Sequence, residues 1–86
     1  MSNADLPLWQ CHKRVRAAKI TEITPGRAVR SGQTLHFEES PPVSKHDAWI
    51  SKFEPKVGGY YVVYEDGYES YSPAKAFEEG YTRVTE

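Results

Sequence analysis

Cys11 and His12 are the residues whose types come closest to nucleophilic or metal chemistry. A cysteine nucleophile needs a base within hydrogen-bond reach. Neighbouring residues in a strand point to opposite faces, so His12 cannot serve Cys11 there, and nothing in the sequence requires His36 or His46 to approach it. These four residues also lack the pairwise spacings of a structural zinc site. We therefore expect Cys11 to be a small packed residue and His12 to lie at a surface or an edge.

Acidic side chains are the next candidates for chemistry, since paired carboxylates can divide general acid and general base roles. The chain has 12 of them. Solvation explains those that fall at turns and on a short exposed helix, namely Glu38-Glu39, Glu65-Asp66, Glu69 and Glu78-Glu79. The sequence contains no G-x-S-x-G nucleophile elbow, no phosphate-binding loop and no dinucleotide fingerprint. We expect no enzyme activity, no catalytic or metal site, and no cofactor.

Charge and tyrosine content form a more informative pattern. Residues 1–30 carry six basic and two acidic groups, and residues 31–86 carry five and ten, so a net charge of −1 combines +4 with −5. All six tyrosines lie between positions 60 and 81. In extended backbone Arg14 and Arg16 share a face beside strands that bear tyrosines. The predicted interaction surface consists of Arg14, Arg16, Tyr61, Tyr68 and Tyr71.

This combination of cations and tyrosines has several interpretations. Such groups can bind a nucleic-acid backbone and stack bases, or hold a nucleotide in a smaller pocket. Basic residues on an edge strand can also block aggregation and face the acidic half of the chain. Tyrosines suit a protein interface, because each ring is apolar and ends in a polar group. The net charge weakens attraction to nucleic acid, so a protein partner or a homo-oligomer is favoured.

The first predicted element is an extended segment from Trp9 to Ile23. Its apolar residues keep one parity up to Ala17 and take the other from Ala18, which predicts a β-bulge at that point. A helix through the same residues is the competing interpretation, but it would stop at Pro25 without a cap.

The middle of the chain predicts a short hairpin and then a helix. Residues 28–30 and 34–38 are expected to pair, and Pro41-Pro42 then forbids regular pairing. Ser44 is a candidate N-cap for a helix from about 45 to 53, which ends because the residue before proline avoids the α region.

The strongest strand signal is Tyr60 to Tyr64, five consecutive aromatic or β-branched residues. Asp66-Gly67 predicts a type I′ turn that returns residues 68–71 antiparallel, with Tyr64 opposite Glu69 and Val62 opposite Tyr71. Because this strand is apolar on both faces, we expect it to be central and covered by a helix on at least one side.

The last elements are a two-turn helix over residues 73–79 and a final short strand at 81–84. Ser72-Pro73 begins the helix, Ala76 and Phe77 face the sheet, and Gly80 ends it in the left-handed conformation. The predicted fold is a small α+β domain with a mainly antiparallel sheet, a bulged N-terminal strand, two hairpins and two short helices. Residues 1–8 are expected to be a disordered segment, and residues 9–86 one domain.

A family resemblance rests on two segments of the chain, which are WQCHKRVRAAKITEI and GGYYVVYEDGYESYSPAKAFEEGYTRV. They are similar to small proteins of tailed bacteriophages and prophages that begin with a W-Q-C-H-K type motif and end with G-G-Y-Y-V-x-Y-x-D-G-Y-x-S-x-S-P-x-x-A-F-x-x-G-Y. The resemblance covers roughly residues 9–24 and 55–84. It implies a phage or prophage origin and carries no activity that can be transferred residue by residue.

We therefore expect a phage protein that acts by binding a host or phage protein. The alternatives are a nucleotide or nucleic-acid binder that antagonises a host defence pathway, and a minor virion or assembly component. A single cysteine excludes an internal disulfide. The sequence lacks a run of about 18 apolar residues, so we expect no membrane span. The expected location is the cytoplasm of the bacterial host.

Overall fold

The structure of the protein, a computed structural model, describes residues 6–10, 14–26 and 32–84. These residues form seven strands and two helices, and every strand pair is antiparallel. The predicted small α+β fold is confirmed. In chain order the elements are β1 Leu8–Gln10, β2 Arg14–Pro25, β3 Gln33–Phe37, β4 Val43–Lys45, α1 Asp47–Phe53, β5 Tyr60–Val63, β6 Glu69–Ser72, α2 Ala74–Gly80 and β7 Thr82–Arg83.

Strand β2 organises the sheet because it pairs with three other strands. The strand order runs β4-β3-β2-β1-β7, while β5 pairs with β2 and carries β6. The pairing of β2 with β5 is continuous, with Ala17 opposite Val62 and Ala18 opposite Tyr61. Strand β5 is buried on both faces, which explains why its sequence is apolar without alternation.

The core consists of two clusters, one on each face of the β2–β5 pair. We call them the α1-side core and the α2-side core after the helix that covers each face. Trp49 of α1 packs against the first, and Phe77 of α2 lies within the second, so β5 is covered on both sides. The buried members are Leu6, Ala18, Ile20, Leu35, Val43, Tyr61 and Val63 in the α1-side core, and Val15, Ala17, Tyr60, Val62 and Phe77 in the α2-side core.

The predicted bulge at Ala17 and Ala18 is wrong, although the change of parity is real. Ala17 faces the α2-side core and Ala18 faces the α1-side core without any break in pairing. The parity changes because β2 is covered on one face in its first half and on the other face afterwards. The register shift of β2 lies between Ile20 and Glu22, against β3.

The N-terminal segment also differs from the prediction. Trp9 pairs with Val15, so Trp9 and Val15 lie on two antiparallel strands rather than on one. Cys11 and His12, which lie between these strands, are outside the described residues. Leu6 is only 5% exposed and belongs to the α1-side core, so ordered packing begins before residue 9.

The middle segment contains a three-stranded arrangement rather than an isolated hairpin. Strand β3 pairs with β2 on one side and β4 on the other, and residues 28–30 lie outside the described residues. Ser44 is part of β4, and α1 begins after His46, which makes no side-chain cap bond. The helix ends as predicted before Pro55, with Glu54 in the left-handed region at φ 46°.

The β5–β6 hairpin forms where predicted, but its register is shifted by one residue. Tyr61 lies opposite Tyr71, and Val63 lies opposite Glu69. The loop contains three residues rather than two, because the Gly67 N–H donates to the Tyr64 carbonyl at 2.8 Å and Gly67 takes a φ of 91°. A turn followed by a left-handed glycine is the usual three-residue hairpin loop, and it moves every cross-strand partner.

The predicted C-terminal helix and strand are both present. Phe77 is 1% exposed in α2, whereas Ala76 is exposed and Ala74 packs against the α2-side core instead. Gly80 is the last residue of α2 but has no positive φ, and the extended Tyr81 caps the helix. Strand β7 then pairs with β1.

Candidate interaction surface at the β5–β6 hairpin

The end of the sheet where β2 begins and β5 ends brings Arg14 and Arg16 next to the β5–β6 loop. Arg16 pairs with Val63, the last residue of β5, and Arg14 is the first residue of β2. Two adjoining grooves of about 370 and 290 Å³ lie here, and both are lined by Arg14, Tyr64 and Glu65. We call this region the hairpin surface, and its residues are Arg14, Arg16, Tyr64, Glu65, Asp66 and Tyr68.

Tyr68 is the most exposed aromatic side chain of this surface. It is 48% exposed, and its ring centroid lies 6.0 Å from that of Tyr64. Lys52 of α1 donates to the Tyr68 hydroxyl at 3.2 Å, and its Nζ lies 5.7 Å from the centre of the Tyr68 ring. These contacts orient the ring while leaving about half of the side chain in solvent.

The two arginines are positioned by β2 on the α1 side of the sheet. Arg16 is half-buried, and its Nη1 donates to the Leu6 carbonyl at 3.0 Å, which holds the guanidinium against the N-terminal segment. Arg14 is exposed and lines both grooves. The structure therefore brings three of the predicted site residues together, namely Arg14, Arg16 and Tyr68.

The remaining two predicted site residues lie elsewhere. Tyr61 is 3% exposed in the α1-side core, so it is a core residue and not part of an exposed surface. Tyr71 lies opposite it on β6 and is half-buried against the same core. The shifted hairpin register places Tyr61 and Tyr71 as direct partners and separates both from Tyr68.

Sequence reasoning missed Tyr64, Glu65 and Asp66 as members of the surface. Their signal was the Asp66-Gly67 turn itself, because a hairpin loop is exposed and the residues beside it share that exposure. The Asp66 carboxylate accepts the Tyr68 N–H at 3.0 Å, which fixes the loop and the direction in which Tyr68 leaves it.

A second polar arrangement, which sequence reasoning also missed, joins β4, α1 and β6. Glu69 accepts hydrogen bonds from Lys45 and, at 2.6 Å, from the Tyr61 hydroxyl. The Trp49 indole donates to the Glu69 carbonyl at 3.3 Å, and the Lys45 Nζ lies 5.2 Å from the Trp49 ring centre. Burial raises the pKa of Glu69, but the bonds from Lys45 and Tyr61 and the Lys45 charge outweigh it, so the net pKa is lowered.

The same burial affects the two tyrosines that begin β5. Burial, followed by the hydrogen bond to Glu69, raises the pKa of Tyr61. On the opposite face burial, followed by the bond from the Tyr60 hydroxyl to Glu78 at 2.8 Å, raises the pKa of Tyr60 to about 12. Lys19 lies 3.6 Å from the same Glu78 carboxylate. Both tyrosines are therefore neutral structural donors at physiological pH.

A third groove of about 260 Å³ lies away from the hairpin, between β1, β7 and the segment after β3. Its lining includes Trp9, Phe37 and Tyr60, with Lys19 and Arg83 at the rim. Arg83 pairs with Glu39 at 3.2 Å and Lys19 with Glu78 at 3.6 Å, so both of these cations have a carboxylate partner.

Histidine and acidic side chains are the candidate metal ligands among the described residues. Those residues contain no group of three or more histidine, cysteine or acidic side chains placed to hold a metal ion. The His36 Nε2 is hydrogen-bonded to the Thr24 hydroxyl at 2.8 Å, and His46 is exposed. None of the described helices is long and apolar enough to cross a membrane.

Comparison with protein-family models, curated proteins and solved structures gives no match to this chain. Fold class alone does not define an activity, so a function is proposed from the chemical groups of the hairpin surface.

Proposed function

We propose that the chain is a non-enzymatic binding module that acts by contact with a protein of a bacterial host or its phage through the hairpin surface. The observation that carries the proposal is Tyr68, 48% exposed beside two grooves that also present arginine and carboxylate groups. Exposed tyrosine with arginine is the composition of energetically dominant interface residues. A phage or prophage origin is supported by the resemblance of the two end segments.

The charges of the surface favour a protein over nucleic acid. Arg14 and Arg16 beside Tyr64 and Tyr68 offer the groups that contact a phosphate backbone and stack bases. Glu65 lines both grooves, however, and Asp66 lines one of them, so a polyanion meets repulsion next to each attraction. A protein surface can present both signs of charge and satisfy both.

Affinity capture tests the proposal in cells that carry the corresponding phage or prophage. Tagged wild-type protein is compared with Arg14→Ala/Tyr68→Ala and with Lys75→Ala, a matched control on the exposed face of α2. We expect a specific protein to be captured by the wild type and the control, and at least tenfold less of it by the double variant. Equal capture by all three proteins, or capture of nucleic acid alone, would contradict the proposal.

The cellular setting has its own tests. A minor virion or assembly component would be found in purified phage particles by mass spectrometry, whereas a host-directed binding module stays in the bacterial cytoplasm. Gene order separates the same possibilities, because tail or head genes beside the coding sequence favour a structural role. We propose the cytoplasmic, host-directed role.

A further inference from the structure

The hairpin surface carries opposite charges side by side, and that arrangement can be complementary to itself. The geometry points to a second copy of this chain as an occupant of the surface, in a two-fold symmetric dimer. This pairing rests on the proposed function, because it places a copy of the chain on the same contact surface.

The first support is the placement of the charges. Arg14 is the first residue of β2 and Glu65 lies in the β5–β6 loop, and both line both grooves. A two-fold axis that crosses the surface between them places Arg14 of each copy against Glu65 of the other. An isologous interface forms every such contact twice, so one complementary pair of positions contributes two ion pairs.

The second support is the state of the acidic groups. Glu65 is exposed and forms no ion pair or hydrogen bond among the residues that the structure describes, and Asp66 is bonded there to the backbone N–H of Tyr68. Arg14 and Arg16 do make contacts within their own chain. A guanidinium has five N–H donors and can bond more than one carboxylate.

The third support is the apolar area next to these charges. Tyr68 exposes about half of its side chain beside one of the two grooves, and Tyr64 lies beside it. Aromatic rings flanked by charged groups match the division of an interface into an apolar centre and a polar rim. With one exposed tyrosine in each copy, we expect micromolar rather than nanomolar affinity.

A charge-swap experiment separates contacts between copies from contacts within one copy. Arg14→Glu places like charges opposite each other twice in its own dimer, and so does Glu65→Arg. When the two variants are mixed, both contacts between them join opposite charges. We expect each variant alone to lose at least tenfold in dimer affinity and the equimolar mixture to regain it to within about threefold.

Sedimentation velocity and native mass spectrometry of the full chain, across roughly 1 µM to 1 mM protein, measure these affinities. Lys75→Glu on α2 is the matched control and should dimerise like the wild type, while high salt should weaken the wild-type dimer. Circular dichroism checks folding. Should a reversal variant fail to fold, Arg14→Gln and Glu65→Gln replace it, and we expect each to weaken the dimer severalfold.

A wild-type chain that stays monomeric throughout this range would overturn the dimer, and so would a mixture that fails to regain affinity. The proposed function is separable from this outcome. A monomer that still captures a partner through Arg14 and Tyr68 refutes the dimer alone. A dimer whose partner capture ignores both residues supports self-association and refutes the proposed function.

Discussion

At the scale of single residues, Glu69 shows how a small domain satisfies its partly buried polar groups with hydrogen bonds. Its carboxylate accepts from Lys45 and Tyr61, and its carbonyl accepts from Trp49, so one residue links β4, α1, β5 and β6. The side chain of Lys45 is only 14% exposed and forms an ion pair with Glu69. Removing the carboxylate would leave a nearly buried ammonium group without its counter-charge, which is more costly than losing a surface ion pair.

Glu69→Gln is therefore expected to lower the free energy of unfolding by roughly 1–3 kcal/mol at neutral pH. Because the folded state lowers the pKa of Glu69, the wild-type protein gains this stability above the unfolded value, about 4.3, and loses it as the pH falls further. The variant should lose less stability than the wild type on going from pH 6 to pH 3. Urea unfolding across this range measures both effects, with Glu79→Gln on α2 as a control that should match the wild type.

The raised pKa of Tyr60 predicts how the stability of the protein changes at high pH. This pKa is raised to about 12, so the folded state keeps the proton while the unfolded chain ionises near pH 10. The corresponding stability is complete below pH 10 and is lost as the pH rises toward 12. Tyr60→Phe should reduce this alkaline loss without abolishing it, because the pKa of Tyr61 is raised as well.

Thermal unfolding between pH 8 and 11 tests this expectation for Tyr60. The matched control is Tyr64→Phe, since the Tyr64 hydroxyl makes no hydrogen bond among the described residues. An alkaline stability loss that is identical in Tyr60→Phe and in the wild type would show that burial and the bond to Glu78 do not raise the pKa of Tyr60.

At the scale of elements, the β5–β6 hairpin depends on a close approach between Gly59 and Tyr71. A Cβ at position 59 would overlap the end of the Tyr71 ring, which packs across the glycine. Tyr71 in turn lies opposite Tyr61 and covers the α1-side core. Gly59 is therefore needed for space, whereas Gly67 is needed for its positive φ in the loop.

Gly59→Ala should destabilise the protein by roughly 1–3 kcal/mol because the Tyr71 ring must move. In a Tyr71→Ala background the same change should be neutral or slightly stabilising, since the overlap is gone and alanine restricts the unfolded chain. A double-mutant cycle from urea unfolding measures the difference. Gly80→Ala is the control, because a Cβ there meets no atom within 4 Å; an additive cycle would contradict the steric explanation.

The strands and helices also show which structural features sequence patterns are sufficient to predict. Consecutive aromatic and β-branched residues predicted β5, and Glu54-Pro55 predicted where α1 ends. Ser72-Pro73 predicted the start of α2 only to within one residue, because Ser72 belongs to β6 and Pro73 is the N-cap. The hairpin register could not be obtained in this way, because Asp66-Gly67 suits both two-residue and three-residue loops. The parity change at Ala17 and Ala18 was ambiguous for a similar reason, since a bulge and a change of covered face leave the same pattern in one strand.

At the scale of the whole molecule, the β2–β5 pair separates two small cores, one on each face. The hairpin surface lies at one end of this pair and carries Arg14, Glu65 and the exposed Tyr68. The sequence predicted Arg14, Arg16 and Tyr68 because charge and tyrosine clustering are local properties. It misplaced Tyr61 and Tyr71, whose burial depends on which strands and helices cover them.

The central claim is that the chain acts by protein contact through the hairpin surface, and photo-crosslinking from position 68 tests it most directly. A photoreactive phenylalanine analogue replaces Tyr68 in one protein and Lys75 in a control, and each is irradiated in phage-bearing cells. We expect a discrete adduct between position 68 and a protein, either a second copy or another protein. This adduct should be absent from position 75 and reduced at least fivefold by Arg14→Glu. An adduct with nucleic acid, equal labelling from both positions, or no adduct from position 68 would contradict it.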